Sequence, residues 1–313
     1  MSARLVAVDA LRGGALIAMI VYHLAWDLSF LGLVEVDIAA EPGWSVFARL
    51  VAASFLILVG VSLELARRGG ASWRRRLRRI ALIALAAAAV SLATHIALPG
   101  QGVSFGILHC IALSSLIAGA LHRLPSWLLA LGAAAAWLAP GMLASPMFNA
   151  PAWLWLGLST EVPPAPDYVP LLPWFAAVLA GMLIGRRLPD HPADRLPPML
   201  GPLAAMGRRS LAIYLLHQPV LLGLIFAWLW LSPPGPADSL RAACEAAGAD
   251  KLACEAYRAC MLRELGGGPT PLLGPAARRV EAEDGPLWDA AAANCRAKAG
   301  IGESPAPRPP PGG

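Results

Sequence analysis

Apolar side chains dominate stretches at 13–34, 44–66, 79–98, 103–121, 125–143, 168–185 and 209–231, with polar and proline-rich residues between them. Each stretch approaches the twenty or so residues that an α-helix needs to cross about 30 Å of hydrocarbon at ~1.5 Å per residue. The pattern predicts an all-α integral membrane protein with about seven transmembrane helices. The apolar run around Trp153, Leu154 and Trp155 is too short to cross and is bracketed by prolines. Its indoles favour headgroup depth, so it reads as a re-entrant or interfacial piece. From Pro233 onward the composition turns to Ala, Gly, Pro, Glu and Arg, with short helical patches around 238–265 and 276–299 and a proline-rich end that cannot pack. The chain therefore divides into a transmembrane domain at 1–232 and a small, partly helical, partly disordered polar tail at 233–313.

Composition sharpens this division. Hydrophobic residues make up 57% of the 313 positions and charged residues 14%, where a soluble domain carries about 25% charge; mean hydropathy is +0.59. The formal net charge of +5 matters less than its placement, because Arg67, Arg68, Arg74, Arg75, Arg76, Arg78 and Arg79 crowd one short loop. The apolar stretches flanking that loop argue for membrane topology and against nucleic acid as partner. Arg4, Arg12, Arg123 and the Arg186–Arg209 stretch fall on the same side as this cluster. The opposite loops carry Glu35, Asp37, Glu41, Glu161 and Asp167 without Lys or Arg. By the positive-inside rule the amino terminus is cytoplasmic, and an odd number of spans exports the tail. A multi-pass protein of a bacterial inner membrane is expected. No cleavable signal peptide is evident, since the first apolar run continues into Trp26, Asp27 and Phe30.

Cys244, Cys254, Cys260 and Cys295 all lie in the tail. In an oxidising compartment they suggest two disulfides, with three pairings open; in a cytoplasmic tail they would be free thiols. Neither a zinc spacing nor an internal repeat is present.

Ionisable side chains within hydrocarbon are costly and commonly mark a site. His23 and Asp27 are four apart on the first span, one face of a helix, where a carboxylate can orient an imidazole as a base requires. Counting along the helices, His23 lies about 15 Å and Asp27 about 20 Å from the cytoplasmic entry. His109 lies roughly 10 Å inside from the other face, Arg49 about 8 Å, and His217, followed by Gln218 and Pro219, about 12 Å from the cytoplasmic face. Together they predict a polar column, with His23, Asp27 and His109 as catalytic candidates and Arg49 and Trp26 as acceptor contacts. The bland alternative is that these groups glue helices together. His95 beside Pro99 reads as interfacial, Cys110 as a packed core residue, and His122 and His191 as loop residues. At the cytoplasmic end Asp9, Arg12 and Gly13 open the first span. They form either an ion pair with a topology anchor or, with Arg208, Arg209 and His217, a site offering guanidinium forks to a cofactor's phosphates.

The stretches VDALRGGALIAMIVYHLAWDL at 8–28, FLILVGVSL at 55–63, FGILHCIALS at 105–114, PWFAAVLAGMLIGR at 173–186 and SLAIYLLHQPVL at 210–221 resemble the heparan-α-glucosaminide N-acetyltransferase family of membrane acyltransferases, in its bacterial branch. The tail has no part in the resemblance. It implies that an acetyl group passes from cytosolic acetyl-CoA, as co-substrate, to an amino or hydroxyl group of an envelope sugar or glycan. An imidazole would take the acceptor's proton or be acetylated itself. The heparan branch has asparagine where His23 falls, aspartate where Arg49 aligns, and its catalytic histidine further on, where this chain has none. A proton-coupled transporter or lipid-linked sugar flippase is the alternative, for which paired broken helices and an inverted repeat would speak. In a third reading the bundle anchors the tail. Membrane lipid is the expected surrounding, a homodimer is admissible, and no metal is called for.

Overall fold

A computed structural model of the chain describes residues 6–31, 33–34, 36–97, 102–161, 163, 167–189, 197, 200–231, 244–266 and 285–301. Arg4, Glu35, Pro99, His191 and Pro233, used above, lie outside the described residues, as do 267–284 and 302–313 of the tail. In chain order the helices are α1 (Val6–Phe30), α2 (Pro42–Arg68), α3 (Trp73–Ala97), α4 (Ile107–Leu121), α5 (Ser126–Leu143), α6 (Leu171–Arg187), α7 (Gly201–Arg208), α8 (Ser210–Leu231), α9 (Lys251–Gly266) and α10 (Gly285–Ala299). No strand occurs among the described residues, so the fold is all-α. The Trp153 region forms two short 3-10 turns, Pro146–Phe148 and Pro151–Leu156, in place of a span. Prolines open both turns, and Gly157 at φ +86° ends the second.

Each of the seven apolar stretches carries a helix, but only α1, α2, α3, α5 and α8 are long and apolar enough to cross a membrane. The count of about seven is therefore not met by length. α4 has 15 residues and α6 has 17, which at ~1.5 Å per residue gives about 22 and 26 Å, short of the ~30 Å hydrocarbon core. Both are instead among the best packed. Phe175, Val178, Leu179 and Met182 of α6 and Cys110 of α4 are buried with Leu56 of α2 and Leu129 of α5. By contrast Leu85, Trp137 and Trp230, exposed by 69%, 68% and 85%, point away from the bundle, as side chains facing acyl chains do.

The described chain forms two compact units, one of Met1–Ile20 with Val46–His217, the other of Val21–Ser45 with Gln218–Gly313. In the first, α2 and α6 approach backbone to backbone. A side chain at Gly181 would strike the Ile57 carbonyl, and one at Gly60 the Val178 carbonyl. Small residues of this kind let membrane helices pack where no hydrophobic effect drives them together. Arg68 then donates to the carbonyls of Gly185 at 2.7 Å and Leu188 at 2.8 Å, satisfying groups that the end of α6 leaves without intrahelical partners. The beginning of α1 packs through Val8 on Leu58 and Val61 of α2.

The second unit contains the α9–α10 hairpin. Of the three open pairings the structure has Cys244–Cys254 and Cys260–Cys295. The cystines pack with Tyr257, Met261 and Ala292, and Glu264 accepts from Asn294 and Lys298, each at 3.0 Å. The Tyr257 hydroxyl is buried without a hydrogen-bond partner among the described residues, and burial pushes its phenol pKa up.

Candidate functional site

In the first unit a polar centre forms where the start of α4 meets α3, α8 and the loop before α6. Asp167 Oδ2 accepts from the Ile107 N–H at 3.2 Å and from the Tyr214 hydroxyl at 3.3 Å. Gly106 is required here, because any side chain would collide with Asp167. Tyr214 is five residues beyond Arg209, so Asp167, from a loop expected at the acidic side, meets α8 only about 8 Å from its basic beginning.

His109 belongs to the same helix start. Its Nδ1 accepts from the Gly106 N–H at 3.2 Å, and its Nε2 lies 3.4 Å from Ser91 Oγ. The Ser91 proton is given to the Val103 carbonyl at 2.5 Å. The neutral ring must therefore carry its proton on Nε2, donating to Ser91. Both nitrogens of His109 are thus engaged in closing the amino end of α4.

His217 has the opposite tautomer. Its Nδ1 is 2.5 Å from the Tyr214 carbonyl, which can only accept, so Nδ1 donates and Nε2 holds the lone pair of a neutral ring. This is the arrangement a general base requires, with one nitrogen fixed and the other able to accept. Cys110 is buried, its sulfur 3.7 Å from both Ser114 Oγ and the Pro170 carbonyl.

At the start of α1, Arg12 donates through Nη1 to Asp9 Oδ1 at 2.8 Å and to the Gly207 carbonyl at 3.4 Å, and through Nη2 to Ser62 Oγ at 2.7 Å. The guanidinium ties α1, α2 and α7 together, with 12% of its side chain exposed. Arg208 and Arg209 are exposed. Arg49 is exposed on α2.

The second unit holds His23, Trp26 and Asp27. Asp27 is fully buried. Its Oδ1 accepts from Gln218 Nε2 at 2.5 Å, whereas Asp27 Oδ2 and Gln218 Oε1 are buried acceptors without a donor among the described residues. The carboxylate is thus held by α8 and not by the imidazole one turn away. His23 is half-buried, with its ring edge-on to Tyr22. Trp26 stacks on Phe30 with centroids 4.8 Å apart. Two acceptors facing no donor suit a ligand that brings donors, such as a hydroxyl or ammonium group.

Ser91, Asp167 and Tyr214 escaped the reading of the chain as site residues, and Gln218 entered only as a neighbour of His217. Ser91 and Tyr214 are uncharged and unremarkable in an apolar run, and Asp167 reads as one more loop acid. The available signal was the Gly106-x-x-His109 spacing, which fits a helix start closed by its third residue.

Residues 4–219 match the family model for heparan-alpha-glucosaminide N-acetyltransferase, catalytic. Neither a curated protein nor a solved structure matches the chain.

Proposed function

The chain belongs to the heparan-alpha-glucosaminide N-acetyltransferase catalytic family, and on that premise we propose that it moves an acetyl group from cytosolic acetyl-CoA to an amino or hydroxyl group of an envelope sugar. The observation that carries this reading is the match over residues 4–219, which takes in α1 to α7, the polar centre and the beginning of α8. A transmembrane acetyltransferase activity follows from the family. The donor, the acceptor and the orientation, with the amino terminus cytoplasmic and the tail exported, are part of the proposal.

The reaction balances without a further reactant. The acceptor nitrogen or oxygen attacks the thioester carbon, the C–S bond breaks, the acceptor's proton passes to an imidazole, and CoA leaves as thiol after taking a proton. His217 supports this reading by its tautomer, with Nδ1–H fixed on the Tyr214 carbonyl and the lone pair of a neutral ring on Nε2. His23 is the second imidazole proposed for the step. His109, with both nitrogens engaged, holds the start of α4 in place. Within the second unit the proposed acceptor contacts are Asp27 and Gln218, through oxygens that meet no donor among the described residues, with Trp26. On the donor side Arg208 and Arg209 offer charge, and the Asp9–Arg12 pair braces the helices that carry them.

The test is release of free CoA from acetyl-CoA by the purified full-length protein in lipid nanodiscs, with and without an amino sugar. Release should depend on the sugar, and His217→Ala and His23→Ala should each lower it about 100-fold or more while the variants remain monodisperse. Wild-type release that ignores the acceptor, or equals that of the variants, overturns the proposal.

A further inference from the structure

At one end of the first unit, the last turns of α2 and α6 and the turn between α4 and α5 surround a cavity of about 490 Å³ lined by Arg67, His122, Arg123, Leu124 and Arg186. As topology signals these arginines need only be present in their loops; nothing in that role requires them to converge. Here they do, around a carboxylate with no exposed side-chain surface. Glu64 Oε1 accepts from Arg67 Nε at 3.0 Å and Nη2 at 2.6 Å, and its Oε2 lies 3.9 Å from Arg186 Nε without a hydrogen bond. Arg186 is held further by donating to Ser126 Oγ at 3.2 Å and to the His122 carbonyl at 2.9 Å. Gly185 makes room for Glu64, since a side chain there would come within 2.9 Å of the Glu64 Cβ. Arg123 is exposed and has no hydrogen bond among the described residues.

We propose that this cavity binds the phosphate groups of a phosphomonoester or diphosphate carrying at least two negative charges. Three guanidiniums against one carboxylate leave a balance of two positive charges among these arginines and Glu64. A dianionic phosphate matches that balance, whereas a phosphodiester lipid headgroup with a single charge leaves one cation uncompensated. Planar guanidinium forks bind phosphate oxygens in pairs. Because Glu64 already positions the Arg67 fork, and Ser126 with the His122 carbonyl that of Arg186, less side-chain freedom is lost when an anion arrives. The volume falls in the ~300–1,000 Å³ range of small-molecule sites. That the phosphates belong to the acyl donor rests on the function proposed above; the anion site rests on the cavity.

The experiment uses full-length protein in nanodiscs of neutral phosphatidylcholine, with pyrophosphate and CoA as probes in calorimetric titrations at fixed salt. A parallel set of nanodiscs containing phosphatidylglycerol is read by native mass spectrometry. Pyrophosphate and CoA should compete, and Arg123→Ala, which breaks no hydrogen bond among the described residues, should weaken both about tenfold, with Arg123→Lys between. Unchanged affinities in Arg123→Ala and Arg67→Ala overturn the inference, and so does retention of phosphatidylglycerol where pyrophosphate fails to bind. Arginine-dependent pyrophosphate binding without CoA binding upholds the anion site and sinks the donor reading. Acetyl-CoA turnover with an unchanged KM in Arg123→Ala leaves the proposed activity standing and overturns the assignment of this cavity to the donor's phosphates.

Discussion

Gln218→Leu probes the Asp27–Gln218 bond, because Gln218 is the donor that compensates a fully buried carboxyl group. Hydrogen bonds between side chains of transmembrane helices average about 0.6 kcal/mol with a maximum near 1.7, and bonds to an ionised group in proteins reach about 1.5–3 kcal/mol. Asp27 belongs near the upper end of the membrane range, since the bond is short and its second oxygen has no other donor to take over. Gln218→Leu is therefore expected to cost about 2 kcal/mol by stranding the acceptor. Adding Asp27→Leu removes the stranded group, so the double variant should be more stable than the sum of the single effects by about 1.5 kcal/mol. Reversible unfolding in mixed micelles, followed by tryptophan fluorescence as the fraction of denaturing detergent rises, measures all four proteins. If the single effects add to within about 0.5 kcal/mol, the two side chains are not coupled and the geometry argued for this pair is wrong.

Two further outcomes follow from other parts of the chain. Tyr214→Phe removes one of the two donors to Asp167 and should cost about 1 kcal/mol in the same titration; an unchanged midpoint would mean that the hydroxyl does not hold the loop before α6. Reducing the cystines, which close loops of 10 and 35 residues, should remove about 3 and 4 kcal/mol of constraint on the unfolded hairpin. Proteolysis should then cut within residues 244–301 while the membrane helices stay intact, and a hairpin equally resistant with and without reductant would contradict this.

Periodicity and length sufficed to locate α1 to α6 and α8, though not the short α7, because backbone groups in hydrocarbon must be satisfied within the segment that carries them. The same property made α4 and α6 look like ordinary spans. The structure distinguishes them by length, at 15 and 17 residues, and by packing, with Cys110 and Val178 fully buried while α3, α5 and α8 turn most of their surface outward. The family resemblance, too, was readable in the stretches that run from α1 to α8.

Charge and hydrogen bonding were not readable in that way. Arg12 looks like a phosphate ligand until Ser62 and Gly207, far away in the chain, are seen to take its N–H groups. Asp27 looks like the orienter of His23 until Gln218 arrives from α8. The tautomer of His109 depends in part on Ser91, brought in from α3, whereas that of His217 is set within its own helix by the Tyr214 carbonyl. Helix formation is local, and a sequence of apolar residues is enough to dictate it. The partner of a buried polar group is chosen by the folding of distant segments onto one another, so Glu64, Arg123 and Arg186 become a single site only in three dimensions.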